Sequence, residues 1–196
     1  IGVDNVDIIA STSSGVIVMN TPFGNSVTTA EHAITLMMAL ARQIPQADHS
    51  TKSSLWEKSK FMGVEITSKT LGVIGCGNIG SIVIDRAKGL KMKVIGFDPY
   101  LTESRADTLG IEKVELNEIF KRSDFITIHT PLTDKTKNII NSEAIKKMKP
   151  SVRIINCARG GLIDEKALTK ALKENKIAGA AIDVFEEEPA KNNPLF

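Results

Sequence analysis

Residues 70–80, TLGVIGCGNIG, run a β-branched apolar stretch into Gly75-x-Gly77-x-x-Gly80 and then into a helical pattern opening near Asn78. A strand that turns so sharply into a helix leaves few ways to build the rest of the molecule. The three glycines serve different ends: Gly75 permits a tight turn, Gly77 the close approach of a phosphate group, and Gly80 close helix-to-strand contact. The helix then offers unpaired N–H groups and the positive end of its dipole to an anion.

The remainder of the chain repeats this unit. From Lys69 onward, short β-branched runs alternate with helical patterns, which is how βαβ units and a parallel sheet are written. The runs predict strands at 71–75, 93–97, 125–129, 152–156 and 179–184, with a weaker one at 113–116. Helices fit between them at 78–90, 102–109, 117–122, 141–148 and 164–175, the last with Asp164 as N-cap and a stripe of Ala167, Leu168, Ala171 and Leu172. The expected fold is α/β: a Rossmann-type doubly wound parallel sheet of about six strands with helices on both faces, plus an N-terminal helical extension.

That fold directs ligands to the carboxyl ends of the strands. Asp98 closes the second strand, 18 residues past Gly80, where a carboxylate accepts hydrogen bonds from an adenosine ribose and repels a 2′-phosphate; NAD is therefore expected rather than NADP. A solvated turn before Pro99 is the plainer alternative. His129-Thr130-Pro131 and Asn156-Cys157-Ala158-Arg159 end two more strands and belong to the same crevice. Arg159 cannot lose its charge, so its place beside a sheet core requires an anionic or carbonyl partner, or a route to solvent.

Composition narrows the partners. Lys+Arg of 25 against Asp+Glu of 23 leaves a net charge of +2 without a basic block, so no nucleic acid is expected. Cys76 and Cys157 match no metal or redox spacing; they read as buried free thiols in a reducing, cytoplasmic setting, and no metal is expected. Ala33 to Ala41, the most apolar stretch, is about half the length that spans a bilayer, and no leader precedes Ile1, so no membrane is expected either. Thr28 and Glu31 read as a capping box opening a helix with more than one apolar stripe. Intramolecular burial accounts for it, or a homodimer interface through residues 28–42 and the Trp56 region, since Trp56 stands in a polar stretch.

Five ordered segments, NTPFGNSVTTAE (20–31), GVIGCGNIG (72–80), HTPLT (129–133), INCARGGLIDEKAL (155–168) and GAAIDVFEEEP (179–189), resemble the nucleotide-binding domain of D-2-hydroxyacid dehydrogenases over nearly the whole chain. ARQIPQA (41–47), LWEKSKFMG (55–63) and NCARGG point within that family to a branch acting on a phosphorylated 2-hydroxy acid. The resemblance implies that Asn78 and Ile79 meet the pyrophosphate and Asp98 the ribose. It sets Thr130, Cys157, Ala158 and Asp183 along the groove towards the nicotinamide, within the HTP and NCARGG stretches. Arg159 and Glu188 would be catalytic, the arginine gripping the carboxylate and keto oxygen of a small anionic acid, the glutamate raising the pKa of a proton-exchanging histidine. Against these stand a solvated Arg159, a Glu188 that is one more exposed acid, and an Asp183 that satisfies a backbone donor.

The family's histidine is expected roughly two dozen residues past the glutamate, yet only eight residues follow Glu188. His32, His49 and His129 lack its motif. The chain thus reads as an excised domain, 21–196 binding NAD(H) and 1–20 edging the crossover to a substrate domain, without turnover of its own. A nucleotide-sensing module like the family's corepressor relatives is the rival reading. Another Rossmann enzyme, a hydrolase or methyltransferase, is a third, which NCARGG followed by DVFxxEP argues against.

Overall fold

The computed structural model describes residues 2–3 and 5–196; Ile1 and Asp4, part of the 1–20 segment, lie outside the described residues. Among the described residues six strands form one sheet: β1 (Thr70–Ile74), β2 (Lys93–Phe97), β3 (Glu112–Lys113), β4 (Phe125–Ile128), β5 (Arg153–Asn156) and β6 (Gly179–Ile182). Their order is β3-β2-β1-β4-β5-β6 and every pairing is parallel. The winding therefore reverses between β1 and β4, and this switch point leaves a crevice beyond their carboxyl ends.

Period-2 alternation divides the core into two layers. Leu71 and Val73 join one apolar cluster with α2 (Ser26–Arg42), α4 (Asn78–Gly89) and α5 (Glu103–Leu109). Ile74, Ile126, Ile128 and Ile154 join the other, with α6 (Leu116–Arg122), α7 (Ser142–Lys146) and α8 (Glu165–Lys173). Strands buried on both faces are apolar almost throughout, which is why β1 and β4 read as near-continuous runs, Thr127 being the buried polar residue in β4. The α8 N-cap is Asp164, accepting from Ala167 N at 3.0 Å, and Leu168 and Ala171 are its buried residues.

The capping box does not form. α2 begins at Ser26, so Thr28 is already inside the first turn. A turn over residues 21–24, with Gly24 N donating to Thr21 O (3.1 Å), delivers the chain to Asn25 already coiling, and Thr29 N closes on Asn25 O at 2.9 Å. Local turn geometry thus overrode the cap signal. α2 also needs less cover than its composition suggests: Ala30, Ala33, Met37 and Ala41 form one buried stripe, and Ile34, Leu36 and Met38 are half-covered beside it. Small alanines on that stripe let the helix lie close over α4 and β5.

Two further helices precede and follow it. α1 (Ile8–Ser13) has no buried residue, and α3 (Ile44–Lys52) leads to a short 3-10 turn at Lys58–Phe61. Around them Ile17, Met19 and Trp56 are each more than 80% exposed. Among the described residues no helix is long and apolar enough to cross a membrane.

Candidate functional site

The first half of the site is the turn after β1. Gly75 has φ +94, and a Cβ there would stand 2.6 Å from His129 O. A Cβ on Gly80 would strike Gly75 O, so the first turn of α4 can lie against the end of β1 only with glycine there. Gly77 differs: a Cβ would meet no atom within 4 Å. Its missing side chain therefore serves no internal packing and leaves room for something outside the chain. Gly77 is also the α4 N-cap, without a side-chain hydrogen bond, so the helix's leading amides are not capped from within.

Asp98 locks this turn. Its Oδ2 accepts from Cys76 N at 2.9 Å and its Oδ1 from Tyr100 N at 2.8 Å. The carboxylate is therefore no idle solvated acid; it fixes the loop it borders. Burial, helped by the charge of Asp98, pushes the Cys76 thiol up to about 12.

The second half comes from the ends of β4 and β5. His129 Nε2 lies 2.9 Å from Thr127 Oγ1, while His129 Nδ1 and Thr130 Oγ1 are buried with no protein partner. Burial draws the His129 pKa down to about 4, so the ring is neutral near pH 7 and ill matched to proton exchange there. Asn156 shapes the following corner: its Oδ1 accepts from Ala158 N (3.0 Å) and its Nδ2 donates to Arg159 O (2.9 Å). Arg159 Nη1 donates to Ala158 O at 2.7 Å. A Cβ on Gly160 would collide with Phe185 O, so the 185–188 loop packs directly on this corner. Glu188, exposed, accepts there from Phe185 N at 2.9 Å.

A crevice of about 310 Å³ joins the halves. Asn78 and Ile79 line it from α4, His129, Thr130 and Pro131 from the end of β4, and Cys157, Ala158 and Arg159 from the end of β5. Gly75, Gly77, Gly80, Asp98 and Glu188 do not line it. Asp183 is also outside; its N donates to Asn156 O (3.0 Å) and its Oδ2 lies 3.3 Å from His32 Nε2. Burial, with Asp183 nearby, pushes the Cys157 thiol up to about 12, and both cysteines are free and buried as expected. Sequence reasoning missed the opposite wall, made by Pro22, Asn25, Ser26 and Thr29 at the start of α2. The signal was the segment NTPFGNSVTTAE (20–31), which carries the family resemblance but to which no ligand contact was assigned.

The model of the D-isomer specific 2-hydroxyacid dehydrogenase NAD binding domain matches residues 34–196. The chain belongs to this family. Relatives of this NAD binding domain include the D-3-phosphoglycerate dehydrogenases of Methanocaldococcus jannaschii, 55% identical over 100% of this chain and 38% of the relative, and of Synechocystis, 51% identical over 100% and 35%. The chain thus spans little more than a third of the length of these relatives. Among solved structures, the D-lactate dehydrogenase of Aquifex aeolicus complexed with NAD and lactic acid superposes with a TM-score of 0.87, at 34% identity over 95% of this chain and 56% of that one. NAD fits the crevice on its own terms as well: the open side of Gly77, the uncapped start of α4 and two buried polar atoms lacking partners ask for a polar, phosphate-bearing ligand.

Proposed function

We propose that the whole protein oxidises 3-phosphoglycerate to 3-phosphohydroxypyruvate, the reaction that opens the phosphorylated route to serine. The observation carrying this reading is the corner that sets Arg159 on the rim of the crevice, together with identity above 50% to D-3-phosphoglycerate dehydrogenases along the full chain. Bound NAD supplies the hydride acceptor. Asn78 and Ile79, at the uncapped start of α4, hold the pyrophosphate; Asp98 receives the ribose hydroxyls. Thr130 and His129 satisfy their buried polar atoms on the coenzyme, and Cys157, Ala158 and Asp183 flank its nicotinamide end.

Arg159 grips the substrate carboxylate and C2 oxygen with its planar fork, where lysine would offer a single point charge. Glu188 orients and charges a histidine supplied from elsewhere in the protein. Residues 21–196 form the coenzyme domain, and 1–20 lead towards the substrate domain; the exposed apolar side chains Ile17 and Met19 and the absence of buried residues in α1 support that division. Exposed Trp56 and the half-covered flank of α2 support a homodimer through this region, and two buried free thiols suit a cytoplasmic location.

Calorimetric titration of this domain with NADH is expected to show one site per chain; a native protein giving no heat with either redox form of the coenzyme overturns the reading. In the whole protein, NADH formation driven by 3-phosphoglycerate should exceed that driven by unphosphorylated 2-hydroxy acids. The converse order would remove the substrate assignment and leave the coenzyme site standing. Trp56→Ser is expected to shift the sedimentation of the protein from dimer towards monomer.

A further inference from the structure

Three residues far apart in sequence converge beside the crevice. His32 is on α2, Cys157 follows β5 and Asp183 follows β6, and one potential ligand atom from each lies within 4.8 Å of the other two. The His32 Nε2 to Asp183 Oδ2 distance is 3.3 Å. A tetrahedral zinc ion with nitrogen and oxygen ligands at roughly 2.0–2.1 Å sets those two atoms about 3.3 Å apart, and sets nitrogen about 3.6 Å from a thiolate sulfur. One edge of the tetrahedron therefore already has its length, and the sulfur edges need to close by at most about 1.2 Å. The side chains of His32 and Asp183 are 44% and 51% exposed, so both can make that adjustment, whereas buried Cys157 is fixed at the strand end.

The donors also select the ion. Thiolate, imidazole and carboxylate together suit zinc and its softer congeners, while magnesium and calcium require oxygen ligands throughout. One thiolate and one carboxylate cancel a dipositive charge, so closing the site buries no net charge. A water is expected to complete the fourth position, two of the three ligands being exposed.

We propose that a zinc-class divalent cation binds His32, Cys157 and Asp183, and that this cation and the coenzyme exclude one another. Binding forms the metal–sulfur bond as the thiol proton passes to solvent, with no change of oxidation state. The metal site stands on the three ligands alone; the exclusion rests on the proposed course of the coenzyme along Cys157 and Asp183. Free zinc then acts as a brake on the dehydrogenase by closing the nicotinamide end of its crevice.

Cadmium titration of tag-free, fully reduced protein tests the site. A thiolate-to-cadmium charge-transfer absorption is expected to saturate at one ion per chain and to be reversed by zinc. Cys157→Ser should abolish that band and Cys76→Ser retain it, while His32→Gln should weaken cadmium at least about tenfold, as loss of a ligand requires; thermal melts verify that each variant is folded. A band that survives Cys157→Ser, an unchanged affinity in His32→Gln, or no band at all overturns the site. Adding NADH should raise the apparent metal dissociation constant in step with coenzyme saturation. NADH that binds without altering metal affinity overturns the exclusion, and NADH that fails to bind metal-free protein overturns the coenzyme reading instead.

Discussion

The two halves of the sheet treat their strand ends in opposite ways. In the β1–β2 half, Asp98 fastens the glycine turn through Cys76 N and Tyr100 N, and Gly75 and Gly80 close on each other with no space to spare. In the β4–β5 half, His129 Nδ1 and Thr130 Oγ1 are buried without partners. The first half is locked in shape, with only the leading amides of α4 left open, while the second also holds buried side-chain polar capacity in reserve. A site of this kind needs both: a rigid cradle that positions charge and an unsatisfied wall whose cost is recovered when a ligand arrives.

The sharpest way to break this contrast is Gly80→Val. With Gly75 O already where a Cβ would sit, the variant should lose about 3 kcal/mol or more and melt roughly 6–12 °C lower. An unchanged Tm in a calorimetric scan would mean the cradle is not rigid.

Acid probes the second half. The unfolded-state imidazole titrates at its ordinary 6.5, but the buried ring of His129 does so at about 4. Between those values the unfolded chain binds the extra proton, so this contribution is intact above pH 6.5 and is lost as the pH falls towards 4, by about 3 kcal/mol at most. Chemical denaturation across that window should show the slope, and His129→Asn should flatten it.

Asp98→Ala strips the lock from the first half. Losing two charge-assisted hydrogen bonds should cost about 2 kcal/mol in urea unfolding, and NADH should lose about tenfold of its advantage over NADPH as the carboxylate that repels a 2′-phosphate disappears. Equal discrimination by the variant would deny Asp98 its ribose role. The smallest effect is expected from Thr130→Val, which removes an unpaired buried hydroxyl. The ligand-free domain should be unchanged or up to about 1 kcal/mol more stable, yet bind NADH more weakly. A destabilised variant would show that the hydroxyl had a partner all along.

Much of this was legible in the residues. The glycine turn, the alternation of apolar runs with helical stripes and the Asp164 cap each act over a few positions, so spacing alone gives β1, α4 and α8 nearly to the residue. HTP and NCARGG could be assigned to one crevice because parallel strands share a carboxyl end. Thr28 reads as a cap in sequence, but the turn over residues 21–24 starts the helix at Ser26 before it is reached. α1 could not be placed as an element, since its six residues bury nothing and carry no apolar stripe.

By itself, then, the sequence determined the elements, their parallel winding and the edge on which ligands gather, because these follow from short-range periodicity and the fixed handedness of βαβ units. Only the tertiary structure decided that the start of α2 forms the opposite wall of the crevice, that His129 is neutral, and that His32, Cys157 and Asp183 meet. Those depend on which surfaces pack together across 26 to 151 positions of chain, a separation over which no local pattern survives.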